Sequence, residues 1–133
     1  MKKYIYIGAG GFFGAILRAF IESIHIYNYN EKIPLNTLII NISGSFLLAL
    51  ILTLALEVWK IGANLRLGLT VGFLGAFTTF STMCKETVNL MDKGYYLSAI
   101  SYITISTILG LLAAYLGVVL ARGVIAKVVK KKS

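Results

Sequence analysis

Residues 72 to 83 read Gly72-Phe73-Leu74-Gly75-Ala76-Phe77-Thr78-Thr79-Phe80-Ser81-Thr82-Met83, placing glycines, phenylalanines and a hydroxyl cluster inside an apolar run. Polar groups and opened backbone at membrane depth survive only when protein surrounds them or when they line a cavity. The chemistry they suit is weak, multi-point contact with a small polar solute. An aromatic ring has a positive edge. Phe77 and Phe80, expected at i and i+3 on one helix face, can therefore touch an anion without gripping it as a lysine would. Weak binding at several sites is what conduction requires. Such a ring pair ordinarily belongs to a core or faces lipid, but a lipid-facing stripe here would expose Thr78, Thr79, Ser81 and Thr82.

Asn41 lies about seven residues into another apolar run. Its amide needs partners, since an unsatisfied polar group away from water costs several kcal/mol. Two uses stay open: a hydrogen bond that glues two helices, or an NH2 that donates to a passing anion. Tyr102, Ser106 and Gly110 recur at four-residue intervals and form one stripe on a helix. That stripe either extends a polar track toward Phe77 and Phe80 or holds a serine bonded back to its own helix. Arg18 and Glu22, four apart, either pair along a helix face or leave Arg18 as the positive feature of a vestibule. Lys85 and Glu86 are expected where this span emerges into water.

The elements that must position these groups follow from composition. The chain has 133 residues, 58% of them hydrophobic, with one proline and a mean hydropathy of +0.83. Apolar runs cover about 4–24, 35–59, 65–90 and 95–121, each near or above the ~20 residues that cross a bilayer. We expect an all-α membrane protein: one domain over residues 1–133, four transmembrane helices, and a break in the third. Short connections leave no space for a soluble catalytic domain. Lys2 and Lys3 precede an apolar run without a convincing cleavage site, so the first run is expected to be a retained helix. Gly10 and Gly14, and Gly68 and Gly72, are spaced for close helix approach, with Gly110 and Ala114 approximating it. Tyr4, Tyr6, Tyr27, Tyr29, Trp59, Tyr95 and Tyr96 fall near span ends, where amphipathic rings anchor at headgroups. A four-helix bundle is filled by its own side chains, so a conduit is expected between copies of a homo-oligomer, most simply a dimer.

The formal charge of +8 does not argue for nucleic acid, because Lys127, Lys130, Lys131 and Lys132 cluster in a tail from about residue 122 to 133. A basic segment flanking a membrane helix favours an anionic leaflet, by about 1 kcal/mol per basic group near the surface. Lys2, Lys3, Lys60, Arg66, Arg122 and those four share one side, against Arg18, Lys32, Lys85 and Lys93 on the other. Without the tail lysines the bias nearly vanishes, leaving insertion both ways up open. Cys84 has no second cysteine to pair with and His25 is the lone imidazole, so neither redox nor histidine-metal chemistry is expected. With no nucleophile paired to a base and no nucleotide loop, the chain is not expected to be an enzyme.

Taken together, these motifs resemble the small fluoride channels of the Fluc or CrcB family. The resemblance runs from Gly10 to about Gly117. It is carried by Gly10-Gly11-x-x-Gly14-Ala15-x-x-Arg18, by Thr37-Leu38-x-x-Asn41-x-x-Gly44-x-Phe46, and by Gly72-x-x-Gly75-x-Phe77-Thr78-Thr79-Phe80-Ser81-Thr82 with Glu86. The resemblance implies an antiparallel, dual-topology homodimer in the cell membrane, passing fluoride passively outward and so conferring fluoride resistance. It implies fluoride contacts from Asn41, Phe77, Phe80, Thr78, Thr79, Ser81, Tyr102 and Ser106, with Arg18 and Glu86 in or near vestibules. It further implies a structural sodium ion at the dimer centre, held by the backbone carbonyls of Gly72 and Gly75. Ala76, Met83, Asn36 and Ala19 depart from the usual pattern, and none of them is one of these ligands.

Physics supports the chemistry independently. Desolvating a compact ion is expensive, of order 20 kcal/mol in the idealised limit. Each hydrogen bond to a charged group returns ~1.5 to 3 kcal/mol, so several convergent donors are needed. Two rivals differ in class. A proton-coupled small multidrug exporter needs a carboxylate deep in the membrane, and Glu22, Glu57 and Glu86 fall toward span ends. A non-conducting structural membrane protein predicts that Asn41→Leu alters stability alone.

Overall fold

The computed structural model describes residues 1–24, 33–59 and 61–132. His25, Tyr27, Tyr29, Lys32 and Lys60 lie outside the described residues, as do the side chains of Trp59, Lys130 and Lys132. Four stretches are helical, long and apolar enough to cross a bilayer: Lys2–Ser23, Leu35–Glu57, Ala63–Asp92 and Tyr96–Val128. The protein is an all-α, multi-pass membrane protein.

Helix α1 is Lys2–Ser23 and α2 is Leu35–Leu54, which widens into a π-type turn at Ala55–Trp59. The third span is built in pieces: α3 (Ala63–Leu67), a π-type segment Gly68–Leu74, α4 (Gly75–Phe77) and, beyond a break, α5 (Phe80–Asp92). Helix α6 runs from Tyr96 to Lys132. Glycine allows the sharp α5–α6 turn: Gly94 has φ +83°, the Gly94 N–H bonds the Met91 carbonyl and the Tyr95 N–H bonds the Leu90 carbonyl. This is the Schellman arrangement that closes a helix on a left-handed residue.

Helix α1 lies against the Gly68–Leu74 segment, and α2 against α6. The first contact is backbone on backbone. A Cβ at Gly10 would run into the Gly68 carbonyl, one at Gly14 into the Phe73 carbonyl, and one at Gly72 into the Ile7 carbonyl. These glycines are therefore used within one subunit, and the case for a second copy rests on other surfaces. On α6 the tight contact belongs to Gly117 against Phe46 and Leu50, whereas Gly110 and Ala114 border an open cleft.

The interior is thin. Ile40, Leu74 and Phe77 form one buried cluster, and Leu90, Ala99 and Tyr102 form another. Many large apolar side chains face outward, among them Phe12, Phe20, Ile100, Leu111 and Tyr115, as expected where lipid replaces water. Tyr4, Tyr95 and Tyr96, near helix ends, are also exposed.

The expected end of the last span near Ala121 differs from what is seen, because α6 continues as helix to Lys132. Apart from Gly123, residues 122–132 are Arg, Val, Ile, Ala and Lys, none of which terminates a helix.

Candidate functional site

The break in the third span falls at Thr78 and Thr79, not at the glycines. Gly75 keeps helical angles (φ −62°, ψ −38°), whereas Thr78 (−78°, 156°) and Thr79 (−147°, 109°) are extended. Phe77 and Phe80 consequently do not share a helix face. The i, i+3 geometry expected for them needs continuous helix, and two extended residues intervene. Phe77 points inward at 2% exposure and stacks on Phe73, with centroids 6.3 Å apart. Phe80 is 74% exposed at the start of α5.

Asn41 holds the break open. Its Nδ2 donates to the Thr79 carbonyl at 3.0 Å, and the Thr79 N–H donates to Asn41 Oδ1 at 2.8 Å. In a continuous helix that N–H would bond to the Gly75 carbonyl four residues back, so the asparagine replaces a helical partner. One hydrogen of Nδ2 is engaged and the second remains a donor. The Thr79 hydroxyl then caps α5, accepting from the Thr82 N–H at 3.2 Å and donating to Thr82 Oγ1 at 2.9 Å. Thr78 ends α4 through its N–H and its hydroxyl, both donating to the Leu74 carbonyl. Gly44 makes space for the broken chain, since a Cβ there would overlap the Thr78 methyl.

Two hollows flank this construction. A cleft of ≈ 450 Å³ lies between α2, the break and α6, bordered by Asn41, Thr78, Thr79, Phe80, Ser106 and Thr107 among others. Among the described residues, Ser106 Oγ is buried with no hydrogen-bond partner, unlike Ser43 and Ser45, which bond back to their own helix carbonyls. An orphaned hydroxyl beside a cavity is a ready contact for a polar ligand. The second hollow, ≈ 350 Å³, is lined by Glu22, Pro34, Asn36, Thr37, Thr82 and Glu86. Beside it the Glu86 carboxylate accepts from Thr37 Oγ1 at 2.9 Å and from the Tyr102 hydroxyl at 2.7 Å. Glu86 therefore ties α2, α5 and α6 together instead of marking an emergence into water, and α5 goes on to Asp92. The Thr79–Thr82 hydroxyl pair spans the two hollows, because Thr79 borders the first and Thr82 the second.

Ser81 is exposed on α5 and does not border either hollow. Arg18 is half-buried on α1, and among the described residues it makes no ion pair with Glu22. Asn36 donates from Nδ2 to the carbonyls of Glu22 and Ile24, closing the end of α1 onto α2. Thr37, Thr82 and Gly44 belong to the site although the sequence reading gave none of them a contact. A readable signal existed for Thr37, because Thr37, Asn41 and Ser45 recur every four residues on α2, as Tyr102, Ser106 and Gly110 do on α6.

Residues 5–118 match the family described as CrcB-like protein, Camphor Resistance (CrcB). The chain belongs to the CrcB family. Both hollows, the break and its Asn41 clamp lie inside the matched CrcB segment, and the end of α6 lies outside it. Among similar CrcB proteins is one named "Fluoride-specific ion channel FluC 1" from Moorella thermoacetica, 43% identical over 119 residues, 90% of this chain and 85% of the relative. "Fluoride-specific ion channel FluC" from Thermosipho melanesiensis is 41% identical over 125 residues, 91% and 97% of the two chains. "Fluoride-specific ion channel FluC 2" from Carboxydothermus hydrogenoformans is 45% identical over 119 residues, 90% and 87%.

Proposed function

We propose that this CrcB protein is a fluoride channel that lets the ion leave the cell passively and so limits fluoride toxicity. The observation that carries the reading is the polar route through the third-span break: the orphaned Ser106 hydroxyl and the Asn41 amide in one cleft, joined through Thr79 and Thr82 to the hollow beside Glu86. The names of relatives at 41–45% identity point the same way. A compact anion needs several N–H and O–H donors in succession to replace its water, and these residues supply them. The exposed Phe80 ring borders the same cleft and offers its positive edge, whereas Phe77 is buried against Phe73 and borders neither hollow. Thr78 adds a wall, and the Tyr102 hydroxyl, whose one proton goes to Glu86, holds that carboxylate in place beside the second hollow. The Glu86 carboxylate has both oxygens engaged by hydroxyls. Thr37 and Tyr102 each spend their one hydroxyl proton on it, which fixes Glu86 beside the second hollow, and Arg18 on α1 is assigned in this reading to a vestibule.

The open side of the cleft, with Phe80 at its edge, is closed in this reading by a second copy, arranged antiparallel in the cell membrane. A structural sodium ion fits the donor chemistry at its centre. The Thr79 N–H is diverted to Asn41, which releases the Gly75 carbonyl from its helical partner. The Gly72 carbonyl accepts from the Gly75 N–H and retains a second lone pair. A Cβ at Gly75 would meet only the Thr70 carbonyl, at 3.9 Å, so the subunit itself leaves that surface accessible. Hard carbonyl oxygens suit such a cation, which would neutralise backbone dipoles and fix the two breaks relative to each other.

Purified protein in liposomes, read by a fluoride electrode after a potassium gradient is short-circuited, tests the proposal. Rapid fluoride release is expected, with chloride left inside. No release from protein shown to be folded would overturn it.

A further inference from the structure

Beyond the CrcB segment, α6 continues past the bundle. Ala121 is fully buried, and from Arg122 to Ala126 all residues but Ile125 are exposed. From residue 122 onward the chain holds Arg122, Lys127, Lys130, Lys131 and Lys132 and no acidic residue. Val124, Lys127, Val128 and Lys131 border one shallow depression along the helix, an i, i+3, i+4, i+7 face in which aliphatic and cationic side chains alternate. Gly123 sits just before this face, and a Cβ there would meet nothing within 4 Å. Packing gives no reason for a glycine at that point, and glycine weakens a helix interior.

The distances give it one. At 1.5 Å per residue the 37 residues of α6 are about 55 Å long, whereas a bilayer with both headgroup layers is only about 40 to 45 Å thick. A straight α6 would carry its lysines beyond the phosphates into bulk water. A bend at Gly123 would lay the face along the membrane surface, with valines toward the acyl boundary and lysine ammonium groups at the phosphates. We propose that residues 124–132 bend at Gly123 and bind the anionic phospholipid headgroups of the membrane that the protein spans. The proposal stands apart from fluoride conduction and holds whether or not the channel reading does.

The full chain with Cys84→Ser, carrying a nitroxide at Val128→Cys on the face of Val124 and Lys131 or at Ala126→Cys on the opposite face, is placed in phosphatidylcholine vesicles with and without phosphatidylglycerol. Collision with oxygen and with a water-soluble nickel chelate reports depth. In phosphatidylglycerol the oxygen-to-nickel ratio is expected to be severalfold higher at 128 than at 126. The difference should collapse in pure phosphatidylcholine, and also when Lys127, Lys130, Lys131 and Lys132 are changed to Gln. Equal, water-like ratios at both positions in phosphatidylglycerol overturn the proposal, as does a difference that survives the lysine replacements. Displacement of the segment from these vesicles by a short oligonucleotide, bound more tightly than the lipid, also overturns it. Gly123→Ala should lower the ratio at 128, and an unchanged value overturns the bend.

Discussion

Asn41 is the helix-to-helix bond, and its second Nδ2 hydrogen is the donor that the proposed route would use. Its two hydrogen bonds to the Thr79 backbone put the break where it is. Asn41→Leu leaves a buried N–H and C=O unpaired, which costs about 1–3 kcal/mol per group. Expected outcomes are a lowered thermal midpoint in detergent and loss of fluoride release from liposomes. Ser106→Ala separates conduction from stability. Its hydroxyl has no bond to lose, so the midpoint should stay within about 0.5 kcal/mol in stability terms while fluoride release slows. Normal fluoride release from the alanine variant would remove Ser106 from the route.

The packing of α1 onto the Gly68–Leu74 segment has no slack, because carbonyl oxygens occupy the space that a methyl would need. Gly14→Ala should destabilise the subunit by about 1–3 kcal/mol or more, seen as loss of a monodisperse elution peak or an early thermal transition. Gly62→Ala, in open space, is the matched control and should behave as the natural chain. The break itself is a joint product of two elements. Thr78 and Thr79 do not force extended backbone. A side chain from α2 takes the Thr79 N–H, and the chain bends to meet it. The π-type widening of Gly68–Leu74 belongs to the same region of the span, a feature often found near functional sites.

For the whole molecule, the cleft beside Asn41 and Ser106 is open on the side of the exposed Phe80, so the proposed route needs a second copy to enclose it. Chemical cross-linking in mild detergent is expected to yield a dimer band, and a purely monomeric protein that still releases fluoride would contradict the proposed assembly. Replacing sodium on both sides of the liposome by a large organic cation should reduce fluoride release, with recovery when sodium returns. Release indifferent to sodium would discard the role given to Gly72 and Gly75.

The sequence alone determined the membrane class, the four spans, the family resemblance and the location of the polar chemistry, because hydropathy over about 20 residues and ordered motifs are local properties. The last helix runs eleven residues past the last apolar run, since a lysine-rich segment reads as tail although its residues other than Gly123 are helix-compatible. Tertiary structure decided what no local pattern contains. It assigned Gly10, Gly14, Gly68 and Gly72 to packing within one subunit, and it turned Phe77 inward while leaving Phe80 exposed. It also joined Glu86 to Thr37 and Tyr102 across three helices. The reason is hydrogen-bond satisfaction at a distance. Residues 38 apart in the chain, Asn41 and Thr79, exchange the bonds that a continuous helix would have kept to itself.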